Sequence, residues 1–251
     1  MSTKRINQIK ERCIKALNDS DVDAYSIAFA CKNENWEHVQ KTVDSHMKNI
    51  LRETGADDYQ CYLTGKQCFR REKYPDYKGQ RKQEKPKWHS AIRQYLIEEH
   101  NAIVTDDGRE ADDWIAEICR DDWNKKYVTS KGVKTALVRS ALKYVPCSSD
   151  KDFNTFPGWH YNPKWKVKYW VSEEDADLWF WCQMIQGDTA DNIKGIPGKG
   201  KMAAYKILSK AEDPKLAVIA AYRNHYGEDF KEMYDKNYEL LHIGKRIGAR
   251  L

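Results

Sequence analysis

The sequence predicts an α/β protein, a mostly parallel sheet with helices on both faces, followed by a mostly helical C-terminal part. Three observations carry that reading. Strand-like and helical stretches alternate along most of the chain, the pattern turns helical after Trp170, and acidic clusters close the apolar runs. In an open α/β sheet, such run-ending loops gather along one edge.

Taken in order, residues 39–51 have helical spacing and residues 59–63 read as a strand. After a basic stretch, Ile92, Tyr95, Leu96 and Ile97 predict a helix, followed by a short strand at 102–104. A helix over about 111–122 and a strand at 142–147 come next. Strands separated by helices are joined by crossovers, which makes them parallel. Beyond Trp170, Leu178, Trp181, Cys182 and Ile185 keep the three-, four- and seven-residue spacing of one helix face. The expected division is therefore 1–172 for the α/β part and 173–251 for the helical part.

Composition narrows the function classes. With 41% hydrophobic and 12% aromatic residues, the 251-residue chain can bury a core, so it is not an intrinsically disordered protein. Its mean hydropathy of −0.86 implies a heavily charged surface. The start, MSTKRINQIKERCIKALNDSD, has charges throughout instead of the apolar core of a signal peptide, and nowhere do about 18 apolar residues run together. The expected location is cytoplasmic, with no membrane partner. Seven cysteines without a CxxC pair argue against a disulfide framework and against a zinc site.

The net charge of +5 is concentrated. Residues 64–87, TGKQCFRREKYPDYKGQRKQEKPK, hold nine Lys/Arg against three Asp/Glu, leaving the rest of the chain close to neutral. A solvated loop can carry such a run. Interleaved with Phe69, Tyr74 and Tyr77, it also suits nucleic acid, where cations displace phosphate counter-ions and rings stack on bases.

Three acidic clusters complement it. DDGREADDW supplies Glu110, Asp112 and Asp113 at a strand-to-helix junction. SSDKDF offers Asp150 and Asp152, alternate residues that point the same way on extended backbone. QGDTADN gives Asp188 and Asp191, three apart and expected on one face of a helical turn. Hard cations such as Mg²⁺ or Mn²⁺ take oxygen ligands, and two of them about 4 Å apart need several carboxylates to sit on a phosphodiester. Acids beside a basic segment are what phosphodiester hydrolysis requires. His160, in PGWHY, has no paired nucleophile in sequence and reads as structural, as does neighbouring Trp159; Trp179 and Trp181 read as core.

The stretches FRREKYPDYKGQR, EADDWIA, SSDKDF and GDTADNIKGIPGKGKMAA occur in the order and rough spacing of the flap endonuclease / 5′-to-3′ exonuclease family. PGWHY followed by WVSEEDADLWFWCQMIQGD is similar to the small phage and prophage exonucleases. The resemblance spans about 21–208. It implies a PIN-like nuclease domain with a basic arch over about 64–90, then a helix-three-turn-helix (helix-hairpin-helix) module gripping duplex DNA through glycine-turn backbone.

It further implies metal ligation by Asp23, Glu110, Asp112, Asp113, Asp150, Asp152, Asp188 and Asp191, with Asp23 the acid ending the first strand and Asp21 its runner-up. Lys78 and Arg81 match the cations that reach the scissile phosphate. Arg70, Arg71, Tyr77, Gly198, Lys199, Gly200 and Lys201 are the expected DNA contacts. The implied cofactors are two Mg²⁺ or Mn²⁺ ions and a K⁺ at the hairpin. The implied activity is structure-specific two-metal hydrolysis by a monomer at a 5′ end, nick or flap. RNase H-like removal of RNA from an RNA/DNA hybrid and structure-specific DNA binding with weak catalysis are the alternatives.

The chain departs from the family pattern in three places. Gly65 stands where many relatives have an aspartate, Lys199 and Met202 replace an apolar residue and a lysine in the hairpin, and the first strand, CIKALNDSDVD, is rich in polar residues. These departures bear on metal stoichiometry and DNA register.

Overall fold

The computed structural model describes residues 13–81, 84–129 and 136–244, so most of the charged start and the last seven residues of the expected helical part lie outside the described residues. Six strands stand in the order β3-β2-β1-β4-β5-β6. β1 (Lys15–Asp19) runs parallel to β2 (Asp58–Leu63) on one side and to β4 (Tyr144–Cys147) on the other. β3 (Ile103–Val104) pairs parallel with β2, and β5 (Gly158–Asn162) parallel with β4. β6 (Val167–Val171) closes that side as the antiparallel partner of β5. The chain thus builds outward from β1 in one direction, then returns to build in the other. Loops leaving the C-terminal ends of β1 and β4 diverge there and open a crevice, the place where such sheets bind ligands.

Alternate strand residues feed two cores. Ala16, Cys61, Leu63 and Val145 pack under α1 (Ser20–Ala30), α2 (Trp36–Thr54) and α4 (His89–Glu99). Leu17 and Tyr62 point the other way, against α5 (Ala111–Thr129), together with Phe153 and Phe156. The α2 helix shows how local sequence fixes an element. Val39, Val43, Met47 and Ile50 recur on one buried face, the Asn35 side chain accepts from the His38 backbone N–H at 2.9 Å, and Gly55 ends the helix at φ 68°.

A third core belongs to α7 (Glu173–Gln186), α8 (Lys201–Leu208), α9 (Pro214–Tyr226) and α10 (Phe230–Leu241). The sheet ends at Val171, next to the expected boundary, and Ser172 caps α7 by accepting from the Asp175 N–H at 3.0 Å. Yet Cys68 and Tyr77, from the basic segment around the short helix α3 (Phe69–Lys73), are buried in this third core. Ile243, beyond α10, returns to the α5 core. Both parts therefore share apolar interior.

The helix expected over 111–122 extends to Thr129, and β5 and β6 were not foreseen. His160 sits inside the protein, stacked on Tyr169 and within 3.0 Å of the Phe156 carbonyl, and burial pushes its pKa down to about 4. Trp181 packs half-buried on the third core. Trp179 is half-buried too, with the Lys201 ammonium over its ring. Among the described residues the cysteines are free thiols, and no helix is long and apolar enough to cross a membrane.

Candidate active site

The first strand ends four residues earlier than expected, at Asp19, which corrects the choice of Asp23 as the strand-end acid. Asp19 is buried at the crevice and accepts a hydrogen bond from Ser148 Oγ, across the sheet at the end of β4, at 2.8 Å. Burial, then the neighbouring Asp21, raise its pKa well above the ordinary range. Asp23 instead lies in the first turn of α1, accepting from Asn18 Nδ2 at 2.7 Å and pairing with His46 at 3.0 Å. Asp21 is also engaged, accepting from the Thr64 N–H at 2.8 Å and pairing with Arg93.

Beyond β4, Asp150 caps a turn of 3₁₀ helix, Lys151–Thr155, by accepting from the Asp152 N–H at 3.0 Å. Asp188 and Asp191 belong to no helical turn, contrary to expectation. The α7 helix stops at Gln186, Gly187 and Asp188 form the two-residue strand β7 against β8 (Ile193–Lys194), and Asp188 opens the tight turn between them while Asp191 lies within it. That turn puts them beside Asp152, so that carboxylate oxygens of Asp152, Asp188 and Asp191 all lie within 4.8 Å of one another. Burial and then Asp150 push Asp152 up to about 6. Lys151 bridges the group, bonded to Asp188 and 3.1 Å from Asp152 Oδ1.

The α5 junction sorts its three acids differently from expectation. Asp113 is no candidate ligand: it is fully buried in a two-pronged pair with Arg70, at 2.6 and 2.7 Å. It also accepts from the backbone N–H of Gly244 at 3.0 Å. Arg70, also fully buried, cannot reach DNA; its guanidinium contacts Glu110 and the His242 carbonyl, each at 3.3 Å. Tyr77 is likewise unavailable for base stacking, because its ring is core and its hydroxyl donates to Glu110 at 2.9 Å and to Asp191 at 3.3 Å. Lys78, left-handed at φ 55°, donates its N–H to the Asp191 carbonyl and places Nζ 2.7 Å from Glu110 and 3.7 Å from Asp191. Although burial opposes it, Lys78 and then Arg70 hold Glu110 down at about 2. Arg81, half-exposed, pairs with Asp191 at 2.5 Å.

Tyr77 and Lys78 thus join the acids of the α5 junction to those of the turn in one patch. Within it Asp112 stands out. Its Oδ1 is buried with no hydrogen-bond partner among the described residues, and burial followed by Asp113 and Glu110 raises its pKa well above the ordinary range. An orphaned buried acceptor, beside carboxylates crowded closely enough to repel, fits a divalent cation of oxygen preference. Gly65 supplies nothing, because a Cβ there would stand 2.0 Å from the Thr105 carbonyl oxygen.

The glycine hairpin follows directly. Gly187 and Gly195 cross so closely that a Cβ on either would come within 2.3 Å of the other's nitrogen. Ile193, Ile196, Ala204 and Leu208 then bury the hairpin against the third core. Gly198 turns at φ 74°, and Gly200 caps α8 at an ordinary φ of −78°, both with open space where a Cβ would lie. Lys201 is exposed beside them and Lys199 partly so, and Arg71 is exposed on α3.

No family model matches the chain. It is 27% identical over 190 residues to the flap endonuclease Xni of Vibrio parahaemolyticus serotype O3:K6 (strain RIMD 2210633), covering 72% of this chain and 67% of that protein. It is 26% identical over 197 residues to DNA polymerase I of Bacillus caldotenax, covering 74% of this chain but only 21% of the polymerase. The fold is that of T5 5′-exonuclease with bound zinc, at TM-score 0.59 and 18% identity over 92% of this chain and 86% of that one. A T5 flap endonuclease in a pseudo-enzyme-product complex with DNA and metal ions gives TM-score 0.56 and 16% identity, over 90% and 98% of the two chains. In sequence and in fold, the chain is thus similar to flap endonucleases and 5′-to-3′ exonucleases, and its fold is shared with the T5 enzyme.

Proposed function

We propose that the protein is a structure-specific 5′-to-3′ exonuclease and flap endonuclease that hydrolyses DNA phosphodiesters. The observation that carries this is the convergence of Asp152, Asp188 and Asp191 within 4.8 Å, bordered by Lys78 and Arg81. The divalent ions, two Mg²⁺ or Mn²⁺, would be held by that group and by Asp19, Glu110, Asp112 and Asp150. When bound, they supply activation of water and neutralisation of charge on the phosphodiester.

Lys78 and Arg81 do the rest of the electrostatic work. Their present partners are carboxylates, so a phosphate entering the crevice finds cations already placed and held. Alanine at either position should lower the single-turnover rate by roughly 10²-fold. Affinity should fall far less, since many other cations contact phosphate. Rapid-quench rates compared with anisotropy binding curves would check this, and equal losses in both would count against the role.

Duplex grip falls to the hairpin and its basic flank: Arg71, Gly198, Lys199, Gly200 and Lys201, with a K⁺ ion at the hairpin. Open space beside Gly200 makes a clean test, because a valine there fits the fold and meets only what docks from outside. Gly200→Val should keep the parent's fold, with a melting temperature lowered only by the poorer helix cap, and weaken duplex binding on every sequence alike. Parent-like affinity in that variant would remove the hairpin from the interface.

One gel tests the whole reading: 5′-flap, nicked, blunt and RNA-primed substrates, each with Mg²⁺ or a chelator, using the protein as a monomer. Cleavage of flap or nicked DNA that the chelator abolishes is the expected result. Preference for the RNA-primed substrate would favour primer removal, and binding without cleavage on all four would favour a DNA-binding role.

A further inference from the structure

We propose that Lys151 is a displaceable counter-ion, seated against Asp152 and Asp188 of the Asp152, Asp188 and Asp191 group until a divalent cation replaces it, and that it thereby sets the metal affinity of the site. The proposal rests on the metal-site reading above. Its basis is an asymmetry of anchoring. The three carboxylates are fixed and covered, with side-chain exposures of 16% for Asp152, 3% for Asp188 and 12% for Asp191. Each has an anchor other than Lys151. Gln183 Nε2 donates to Asp152 at 2.6 Å, the Ala190 N–H donates to Asp188 at 2.9 Å, and Arg81 and Tyr77 hold Asp191. The acids can therefore keep their places when the lysine leaves.

Lys151 is held the other way round. Its side chain is 47% exposed, on a flexible stem rooted in a 3₁₀ turn, and its ammonium lies against Asp152 and Asp188. An ammonium is a compact single charge that exchanges readily for water. A divalent ion brings twice the charge to the same oxygens, which lie within 4.8 Å of one another, so it competes with the lysine for them. Lys78 offers the contrast: with a side chain only 10% exposed, it is enclosed and stays.

Mn²⁺ titrations of the intact protein, with free ion counted by electron paramagnetic resonance, test this without reference to cleavage. Lys151→Gln should bind Mn²⁺ about five-fold more tightly than the parent, the loss of a competing ion pair worth roughly 1 kcal/mol. Its metal-free form should melt lower, and saturating Mn²⁺ should restore it. Lys151→Arg, which keeps the charge, should stay near the parent. Unchanged or weaker Mn²⁺ binding by Lys151→Gln, with binding lost in an Asp188→Asn, Asp191→Asn double variant, would overturn the counter-ion role and leave the metal site standing. Parent-like binding by the double variant would overturn the metal site itself, and the counter-ion with it.

Discussion

Replacing Asp188 and Asp191 together with asparagine should abolish Mg²⁺-dependent cleavage while duplex binding in Ca²⁺ stays at the parent level or tightens. Asparagine keeps the size of each side chain, and its carbonyl can still accept the Ala190 N–H that anchors position 188. What disappears is two negative charges from a group of three carboxylates. The proposed two-ion site would depend on those charges, so the expected loss of single-turnover rate on a 5′-flap substrate is about 10³-fold or more. Binding should not follow, because the variant removes repulsion toward phosphate and sets Arg81 free to meet it. Circular dichroism would confirm the fold, and anisotropy in Ca²⁺ would report affinity. A folded double variant that still cuts would refute the site.

The second large effect is on stability. Arg70 and Asp113 are both fully buried and held by two hydrogen bonds, and they also fasten three segments that are distant in sequence. Arg70 belongs to the root of the basic segment, Asp113 to the start of α5, and the backbone at His242 and Gly244 comes from beyond α10. Arg70→Met leaves Asp113 charged, buried and without its cation, which should cost about 3–5 kcal/mol. Urea melts would show this as a lower midpoint. Adding Asp113→Leu to the same chain should recover much of the loss, since a buried ion pair replaced by apolar groups is often close to neutral. A parent-like midpoint for Arg70→Met, combined with a large loss of DNA affinity, would return Arg70 to the surface role first read from the sequence.

Much of this arrangement was legible because it follows from periodicity and side-chain type. The α2 and α4 helices, the strands β2 and β4, the helical character beyond Trp170 and the gathering of acids at one sheet edge all came from local pattern. The failures have physical reasons. The β1 strand is five residues long and ends in a polar run, NDSD, so its last residue depends on pairing with β2 and β4, a non-local fact. The same holds for β5 and β6, whose aromatic and lysine mixture has neither clean alternation nor helical spacing. Asp188 and Asp191 lie three apart, a helical spacing, but Gly187 ends α7 just before them. The glycine itself is the signal a sequence offers, and its positive φ of 74° is what ends the helix there. Arg70 and Arg71 are adjacent in a basic run and cannot be told apart by composition. Which one turns inward is decided by Asp113, 43 positions away.

The contact between Gly65 and Thr105 limits what position 65 can carry. With a Cβ placed 2.0 Å from the Thr105 carbonyl oxygen, no side chain, a carboxylate included, fits at 65 unless the backbone at Thr105, just past β3, shifts first. Thr105 is itself tied down, its N–H donating to the Leu63 carbonyl at 2.9 Å and its hydroxyl to the Arg109 carbonyl at 2.7 Å. A carboxylate at 65 would have to break those bonds to fit. Packing alone closes position 65 to an added ligand, so a further oxygen ligand for the proposed metal site would have to come from elsewhere in the patch, as from Asp19 or Asp112.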